Sequence, residues 1–532
     1  MSETIYRSNL GVPRREQEKT NKALSSQNRA LALVETLTGI IQESRANGRP
    51  TSIQDYEGLH AHLKTPPDSV RDYEQDESFA RQRLQGGNCV TIEKCSSVTR
   101  QKLKILDSDP SYADLKQRVD SLMEAGKLFA VDHELLKGME ASPLDDEIPR
   151  YLSPSVALFE VVDDDLLPIR PLGIQLSQGE TATPIFTPED GYNWMIAKAH
   201  FEAADFIIQE VVSHLSHTHL VLEGPLVALH RQLPEEHPIH ALLHPHLEGT
   251  ALINWGAEEM LIVKGGGVDR LQGNKIEDTW ELVLETTVKR ISQDFSPVAD
   301  FEARRMTKED FPGRYPYRDY GLRFWDATHT WVKEFLDLYY TSETDITADY
   351  ELKAFIDELV DIGRVGWLEE FYTSEDKKSL LAKVLASWIY TASTLHAAVN
   401  FPQRSLMAYA PNTPGAMYAP PPLDKNERTF QDYLDCLPPM EIATTQAILG
   451  NILGSVFHTR LGGYESGSFG DKRVQEPLTN FRRTLENIEA DIIDENIDVV
   501  AAWGNRGKNH SDAVNFAYYT LLPDCIPQSI NI

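Results

Sequence analysis

The sequence predicts a mainly α-helical fold, with one large helical domain that also carries small pairs of β-strands. Three observations support this prediction. Several long stretches place apolar residues at helical spacing, and Pro- and Gly-rich loops such as Tyr409–Leu423 separate them. A central, histidine-containing stretch is apolar on most sides, which is typical of a buried helix. Residues 150–186 differ, because their apolar runs are rich in β-branched residues and favour strands.

Composition divides the chain into two parts. Residues 1–75 are polar, with one helical patch at Ala30–Glu43 and a connection at Pro66-Pro67. We interpret them as an N-terminal helical extension, because they lack the alternating strands and turns of a β-barrel. Residues 76–532 are interpreted as a single main domain, which is long enough to bury a large core. No internal repeat at a period of about 20–50 residues is visible.

The predicted elements of the main domain follow one another in chain order. Val156–Val162 and Leu166–Leu176 are interpreted as a short β-hairpin. Residues Glu189–His230 are then helical over a long distance, with apolar side chains on several sides. Helical periodicity predicts five further helices, at Phe324–Tyr340, Lys353–Gly363, Leu380–Val399, Glu441–Val456 and Thr479–Ile493.

Composition and charge exclude several classes of partner. Hydrophobic residues make up 41% of the chain and charged residues 25%, as in an ordinary globular protein, but the formal net charge is -30. Nucleic acid and anionic lipid are recognised by clustered Lys and Arg, so neither is an expected partner. Transient apolar contact with a membrane surface is compatible with the sequence. No run of about 18 apolar residues predicts a transmembrane helix.

The cysteines and the first residues indicate a compartment. Cys89, Cys95, Cys436 and Cys525 form neither a CxxC pair nor a dense disulfide framework. The N-terminal residues are polar and charged and contain no apolar signal-peptide core. We therefore expect a cytoplasmic protein, since thiols stay reduced in that compartment.

The spacing of the histidines is the most informative feature of the chain. Nine of the 16 histidines lie between His200 and His246, and the simplest explanation is a helix with packed or exposed imidazoles. His396 and Asn400, however, are four residues apart and share one helix face. His214 and His219 are five apart and would point about 140° apart on a regular helix. They can share an ion only where the helix is widened to i→i+5 bonding, so a metal site here predicts a π-bulge.

The α-carboxylate of Ile532 is a further candidate ligand. A frayed terminus is the alternative, but Leu521–Pro523 and Cys525–Pro527 are apolar and stiff, as if the tail packed inward. Neutral imidazoles, one amide oxygen and one carboxylate suit a redox-active iron with an open coordination position. A zinc hydrolase is the competing interpretation, and the sequence lacks the HExxH motif that would support it.

At these residues the chain resembles a lipoxygenase, over residues 76–532. The resemblance depends on several motifs that occur in the family's order. They are Phe79–Leu84 with Asn88 (FxRQRLxGxN), Trp194–Lys198 (WxxAK), His214–His219 (HxxxxH), His237–His246 (HPIxxLLxPH), Tyr315–Asp319 with Phe324–Ala327 (YPYRDDGLxxWDA), Leu395–Phe401 (HAAVNF) and a terminal isoleucine. The fold class implied is a helical lipoxygenase-like catalytic domain with a π-bulged central helix, in a compact, bacterial-type member without an N-terminal β-barrel.

The resemblance also implies a set of site residues. Glu210 and Gln403 stand where the family has groups that steer the metal ligands by hydrogen bonds. Pro402 stands where the family usually has Gly. The resemblance therefore does not define the shape of the nearby pocket wall or the residue that binds a substrate carboxylate. His217, His230, His237, His244 and His246 fall outside the ligand set. The implied ligands of one non-haem iron are His214, His219, His396, Asn400 and Ile532, and the implied substrate and oxygen channel is lined by Trp255, Ala257, Leu261 and Ile262.

The activity implied by the resemblance is the oxygenation of polyunsaturated fatty acids such as linoleate, linolenate and arachidonate. A ferric hydroxide would take hydrogen from the bis-allylic carbon of a cis,cis-1,4-pentadiene, and O2 would add to give a hydroperoxide. Ala257 stands where Ala usually accompanies S products and Gly accompanies R products. The alternatives are a hydroperoxide isomerase or diol synthase on the same iron, and a non-catalytic metal-binding relative. The same ligands could also hold manganese.

Overall fold

The computed structural model describes residues 48–61, 66–145, 147–178, 183–454, 459–465, 467–530 and 532. The helical patch predicted at Ala30–Glu43 lies outside these residues. Of the predicted N-terminal extension, the structure describes a short helix at Ile53–Gly58, whose Tyr56 is buried and donates a hydrogen bond to the carbonyl of Pro438. This helix therefore packs onto the main domain.

The prediction of a mainly α-helical fold is confirmed. Two capping patterns show why helices begin where they do: Asp349 and Asp376 each accept a hydrogen bond from a main-chain N–H in the first turn of the helix that follows. The helices of ten or more described residues are α1 (Asp76–Gln85), α2 (Ala113–Glu124), α3 (Tyr192–Ile207), α4 (Glu223–Gln232), α5 (Pro238–Leu247), α6 (Thr250–Met260), α7 (Ile276–Ile291), α8 (Pro316–Asp337), α9 (Tyr350–Asp361), α10 (Lys377–Tyr390), α11 (Met440–Leu453) and α12 (Gln475–Asn505).

Further helical segments connect these α-helices. Three of them are π-helices, Ile208–His219 with 12 residues, Thr391–Leu395 and Gln403–Met407. The short α-helices are Ser97–Lys102, Ile105–Ser108, Gly267–Leu271, Pro297–Ala303, Glu343–Ala348, Glu370–Thr373, His396–Asn400, Phe430–Cys436 and His510–Val514.

The predicted hairpin is confirmed, and it belongs to a larger sheet than expected. Val156 pairs with Gln175 in an antiparallel register. The sequence predicted one or two strand pairs, whereas the structure has a single antiparallel sheet of five strands. Two of these strands have only two residues, and the strand Leu128–Asp132 is buried on both faces, so none of the three shows the alternating pattern that reveals a strand. The order is β1 (Glu93–Lys94), β2 (Leu128–Asp132), β3 (Val156–Val161), β4 (Ile169–Gln175) and β5 (Ile185–Phe186).

The long helical stretch predicted at Glu189–His230 is a run of four segments. The helix α3 continues into the π-helix Ile208–His219, a short 3₁₀ turn at Leu220–Leu222 follows, and α4 completes the run. The predicted π-widening between His214 and His219 is confirmed, and it extends over 12 residues rather than one turn.

The π-helix occupies the centre of the molecule. It packs against α3, α7 and the short helix that begins at His396. Beside it, α8 packs against both α10 and α12, and Trp331 of α8 and Trp388 of α10 are fully buried. The tail also packs inward, since Leu521, Ile526 and Ile530 are completely buried. These contacts bring three distant parts of the chain to one place. None of the helices in the described ranges is long and apolar enough to cross a membrane.

Candidate metal centre

Three buried histidines meet at the centre of the fold. His214 and His219 come from the π-helix, and His396 begins a short helix of its own. The Nε2 atom of His214 lies 3.1 Å from Nε2 of His219 and 3.2 Å from Nε2 of His396. One nitrogen from each ring therefore points at a common position, with all three ligand atoms within 4.8 Å of one another.

The π-helix allows the imidazoles of His214 and His219 to point at the same position. Main-chain bonding at its end is i→i+5, with the N–H of Leu220 donating to the carbonyl of Leu215. The wider turn rotates His219 back towards the direction of His214, which regular α geometry would not allow. The Thr218 hydroxyl also donates a hydrogen bond to the carbonyl of His214, which is one of the main-chain acceptors in this widened turn.

Asn254 determines which nitrogen of His219 carries the proton. Its Nδ2 donates to Oε1 of Glu223 at 2.9 Å and to the carbonyl of His219 at 3.3 Å. Its Oδ1 is therefore the acceptor that faces Nδ1 of His219 at 3.0 Å. The ring hydrogen must lie on Nδ1, so the Nε2 lone pair is directed at the other two histidines.

The two predicted steering residues both contact His214. Nδ1 of His214 lies 3.5 Å from Oε2 of Glu210 and 3.4 Å from Nε2 of Gln403. Gln403 also donates to Oδ1 of Asn400 at 3.0 Å, while Nδ2 of Asn400 donates to the carbonyl of Leu453 at 2.9 Å. The Asn400 amide is thus held at both ends, and its oxygen keeps a second lone pair for an ion.

His396 connects the centre to the end of the chain. The main chain of Ile532 lies close enough to His396 to act on the pKa of its ring. The Nδ1 atom of His396 is buried and has no hydrogen-bond partner among the described residues. The structure therefore brings together His214, His219, His396 and Ile532, and Gln403 links His214 to Asn400.

The electrostatics of the centre favour a bound cation. Burial lowers the pKa of His214 to about 4 and that of His219 to about 3, and it holds the pKa of His396 well below its usual range. All three rings are therefore neutral near pH 7. Nδ1 of His219 faces the amide oxygen of Asn254, so its Nε2 lone pair is directed at the Nε2 atoms of His214 and His396. Three neutral imidazoles that converge in this way suit a cation between them, and together with an amide oxygen and a carboxylate they are suited to non-haem iron.

The histidines that the sequence analysis placed outside the ligand set lie elsewhere. His246 is bonded to the carbonyl of Gln528 at 2.8 Å and to the Tyr464 hydroxyl at 2.7 Å. His237 lies close to Asp349 and Glu351, but its Nδ1 accepts the N–H of Ile239. Its hydrogen is consequently on Nε2, which donates to Asp349 rather than offering a lone pair to a metal. His230 and His244 make ring contacts with His240, and His217 is partly exposed.

The predicted channel residues lie on α6 and just beyond it. Trp255 is 52% exposed, whereas Ile262 is buried, with Ala257 and Leu261 between these extremes. Ala257 is three residues after Asn254 and so lies on the side of α6 that reaches His219.

The sequence analysis missed Asn254. A buried amide in the apolar run Thr250–Ala257 was the available signal, but its partner was visible only in three dimensions.

Comparisons with known proteins agree with this geometry. The family model described as Lipoxygenase matches residues 66–523. A linoleate 9/13-lipoxygenase of Pseudomonas aeruginosa is 31% identical over 520 residues, which cover 91% of this chain and 70% of that protein. The polyunsaturated fatty acid lipoxygenase ALOX15B of Homo sapiens is 32% identical over 437 residues, 80% of this chain and 63% of that protein.

Solved structures show the same similarity. An anaerobic crystal structure of a LOX protein in complex with arachidonate has a TM-score of 0.81 and 27% identity, over 97% of this chain and 75% of that one. A coral 8R-lipoxygenase has a TM-score of 0.77 and 27% identity, over 91% of this chain and 71% of that one.

Proposed function

Because the chain belongs to the lipoxygenase family and is thereby a fatty-acid dioxygenase, we propose that it inserts O2 into cis,cis-1,4-pentadiene units and releases fatty-acid hydroperoxides. The proposed substrates are polyunsaturated fatty acids of the linoleate, linolenate and arachidonate class. The observation that supports the proposal best is the buried convergence of three neutral imidazoles. Radical chemistry at a bis-allylic carbon needs such a dry site, because excluding water protects the radical from side reactions.

The proposed cofactor is one non-haem iron per chain. We propose that His214, His219, His396, Asn400 and the main-chain carboxylate of Ile532 hold it. The chemistry that a bound iron would supply here is one-electron oxidation at the bis-allylic carbon. The protein's part is to keep the rings neutral, to fix the tautomer of His219 through Asn254, to position His214 through Glu210 and Gln403, and to exclude water, since the three histidines are at most 6% exposed.

Oxygen uptake with linoleate tests this function directly. The purified protein should consume O2 and form a conjugated diene hydroperoxide in equal amounts. Added fatty-acid hydroperoxide should be turned over much more slowly than linoleate. Turnover of the hydroperoxide without oxygen uptake would instead identify a hydroperoxide isomerase on the same centre.

Replacing Asn254 by leucine should weaken metal binding. The substitution keeps the branched shape of the side chain, with two larger methyl groups, and removes the acceptor that holds the hydrogen of His219 on Nδ1. Loss of such a hydrogen bond to a ligand typically costs about 10–100-fold in metal affinity. Competition with a chelator, followed by metal analysis, measures the change.

A matched control separates this effect from general destabilisation. Asn496→Leu also removes a buried asparagine, which bonds the main chain of Tyr518 at 3.0 and 2.8 Å. It should lower thermal stability without changing metal affinity. Equal metal affinities in Asn254→Leu and wild type would contradict the positioning role of Asn254.

Ala257 is proposed to control product chirality. Its methyl group lies on the side of α6 that reaches His219 and can fill the space beside one end of the substrate radical. The wild-type protein should give mainly S hydroperoxides, and Ala257→Gly should raise the share of R product. Chiral-phase chromatography measures both, and a mainly R wild-type product would contradict the assignment.

Cytoplasmic localisation and a transient membrane contact stay predictions. Fractionation of the producing cells tests both predictions in one experiment, because it separates soluble protein from protein that stays with the membranes at high salt.

A further inference from the structure

A buried asparagine joins the end of α3 to the π-helix that follows it. The hydroxyl of Ser213 donates to Oδ1 of Asn88 at 2.7 Å, and Nδ2 of Asn88 donates to Oδ1 of Asp205 at 2.6 Å. Asp205 belongs to the last turn of α3, whereas Ser213 lies in the π-helix Ile208–His219. All three residues are at most 5% exposed. One amide therefore bridges the α-helical and the π-helical part of the run.

The widened turns explain how one amide can reach both residues. Asp205 and Ser213 are eight residues apart, so on a regular α-helix their side chains would point about 80° apart. Turns that close with i→i+5 bonds contain more residues and therefore rotate less per residue. This smaller rotation brings Ser213 round to the side of Asp205. The widening that aligns His214 with His219 thus also aligns the two residues that Asn88 holds.

Charge fixes the orientation of the Asn88 amide. Nη1 of Arg83 donates to Oδ2 of Asp205 at 2.7 Å. Although burial alone would raise the pKa of Asp205, the Arg83 guanidinium holds that pKa below its usual value. The carboxylate is therefore an anion near pH 7 and can only accept hydrogen bonds. The amide must direct Nδ2 at Asp205 and present Oδ1 to the hydroxyl of Ser213.

The loop that carries Asn88 is tightly packed. The carbonyl of Asn88 accepts hydrogen bonds from the N–H and the hydroxyl of Thr91, at 3.3 and 2.9 Å. At the preceding residue, a Cβ added to Gly87 would lie 3.0 Å from Sδ of Met407 and 3.7 Å from Cγ of Gln209 in the π-helix. The loop therefore lies directly against the π-helix, and a shift of the helix would break the bridge.

We propose that Asn88 is a positioning residue for the metal centre, which holds the central helix in its π conformation by bridging Asp205 and Ser213. Ser213 directly precedes His214, so loss of the bridge would release the segment that carries this histidine. Relaxation of the segment towards regular α geometry would turn His214 and His219 away from each other. The inference rests on the proposed metal centre, because Asn88 acts through these two histidines.

Cobalt(II) titration of the full chain tests the proposal without relying on oxygenase activity. Cobalt accepts imidazole and oxygen ligands, and its visible absorption depends on how they are arranged. Asn88→Leu should bind cobalt about tenfold more weakly or worse, as for loss of a supporting hydrogen bond. Its cobalt-loaded form should also have a changed absorption spectrum. A merely structural role of Asn88 would lower the melting temperature and leave the spectrum of the loaded protein unchanged, which would overturn the proposal.

Ser213→Ala is a milder variant that removes one bond of the bridge. Alanine is compatible with a helix, so the variant should fold as wild type does. Cobalt binding should weaken by about fivefold, the loss expected for one neutral hydrogen bond. The double variant should bind no more weakly than Asn88→Leu alone, because both changes break the same bond. Losses that multiply in the double variant would overturn the bridge.

Ser216→Ala is the matched control. Ser216 is a fully buried serine of the same π-helix, and its hydroxyl lies 2.9 and 2.8 Å from those of Thr286 and Thr287 on α7. These contacts do not reach back to α3, so the variant should lose stability while its cobalt affinity and spectrum match wild type. Equal weakening in Ser213→Ala and Ser216→Ala would overturn the role of Asn88.

The titration also separates failure of this inference from failure of the metal centre. If the wild type binds cobalt and Asn88→Leu has the same affinity and spectrum, the role of Asn88 is wrong and the metal centre stands. If the wild type binds no cobalt, the metal centre itself is wrong, and the role of Asn88 with it.

Discussion

The variant His396→Ala is expected to lose its metal and to have no measurable oxygenase activity. His396 supplies one of three converging ring nitrogens, and its Nε2 lies 3.2 Å from that of His214. Two imidazoles from one π-helix would then face an opening on the side of the lost ring. Without the third ring, neither the geometry nor the donor number suits iron.

The fold itself should tolerate this substitution. The ring makes no hydrogen bond from Nδ1 to the described residues, so its removal leaves few polar partners unsatisfied. We expect a loss of about 1–3 kcal/mol in the free energy of unfolding, as for a typical buried substitution. Metal analysis, oxygen uptake and thermal denaturation of the same preparation measure the three quantities.

His200→Ala is the appropriate control for His396→Ala. His200 is equally buried and is bonded to Ser153 at 3.0 Å, but it lies on α3, away from the converging nitrogens. It should lose stability while keeping one metal per chain. Retention of full metal content and activity by His396→Ala would show that the ligand assignment is wrong.

Extension of the chain beyond Ile532 is expected to lower activity at least about 100-fold, more than the loss of a supporting hydrogen bond. The main chain of Ile532 lies close to His396, and any added residue turns the carboxylate into a neutral amide. The preceding tail cannot shift to compensate. Ile530 is fully buried, and Gln528 is bonded through its N–H to Thr459 and through its carbonyl to His246.

Two controls distinguish the effect of losing the carboxylate from the effects of altered side-chain packing and added chain length. Ile532→Ala keeps the carboxylate and should retain most of the activity, because only side-chain packing changes. If two glycines are used for the extension, the same two glycines placed before Met1 instead of after Ile532 should have no effect. Equal activity of the C-terminally extended protein and wild type would remove Ile532 from the ligand set.

Local sequence patterns predicted the features that depend on neighbouring residues. The i,i+5 spacing of His214 and His219 predicted a π-helix, which the structure has at Ile208–His219. Alternation and β-branched residues predicted the hairpin around Val156 and Gln175. In both cases the information lies within one turn or one strand, where spacing alone limits the geometry.

Features that depend on distant residues were not predictable in the same way. The bond from Asn254 to His219 joins α6 to the π-helix across 35 residues. The strands Glu93–Lys94 and Ile185–Phe186 are too short to show a pattern. The helix α12 continues to Asn505, beyond the predicted end at Ile493, because buried Asn496, Val499 and Trp503 hold it to the core despite its acidic sequence.

The most direct test of the metal centre is an anomalous difference map, recorded at the iron absorption edge from crystals of the purified protein. The account predicts one peak per chain, coordinated by Nε2 of His214, His219 and His396, Oδ1 of Asn400 and the carboxylate of Ile532. Absence of a peak there, or a peak at another group such as His237, Asp349 and Glu351, would contradict it.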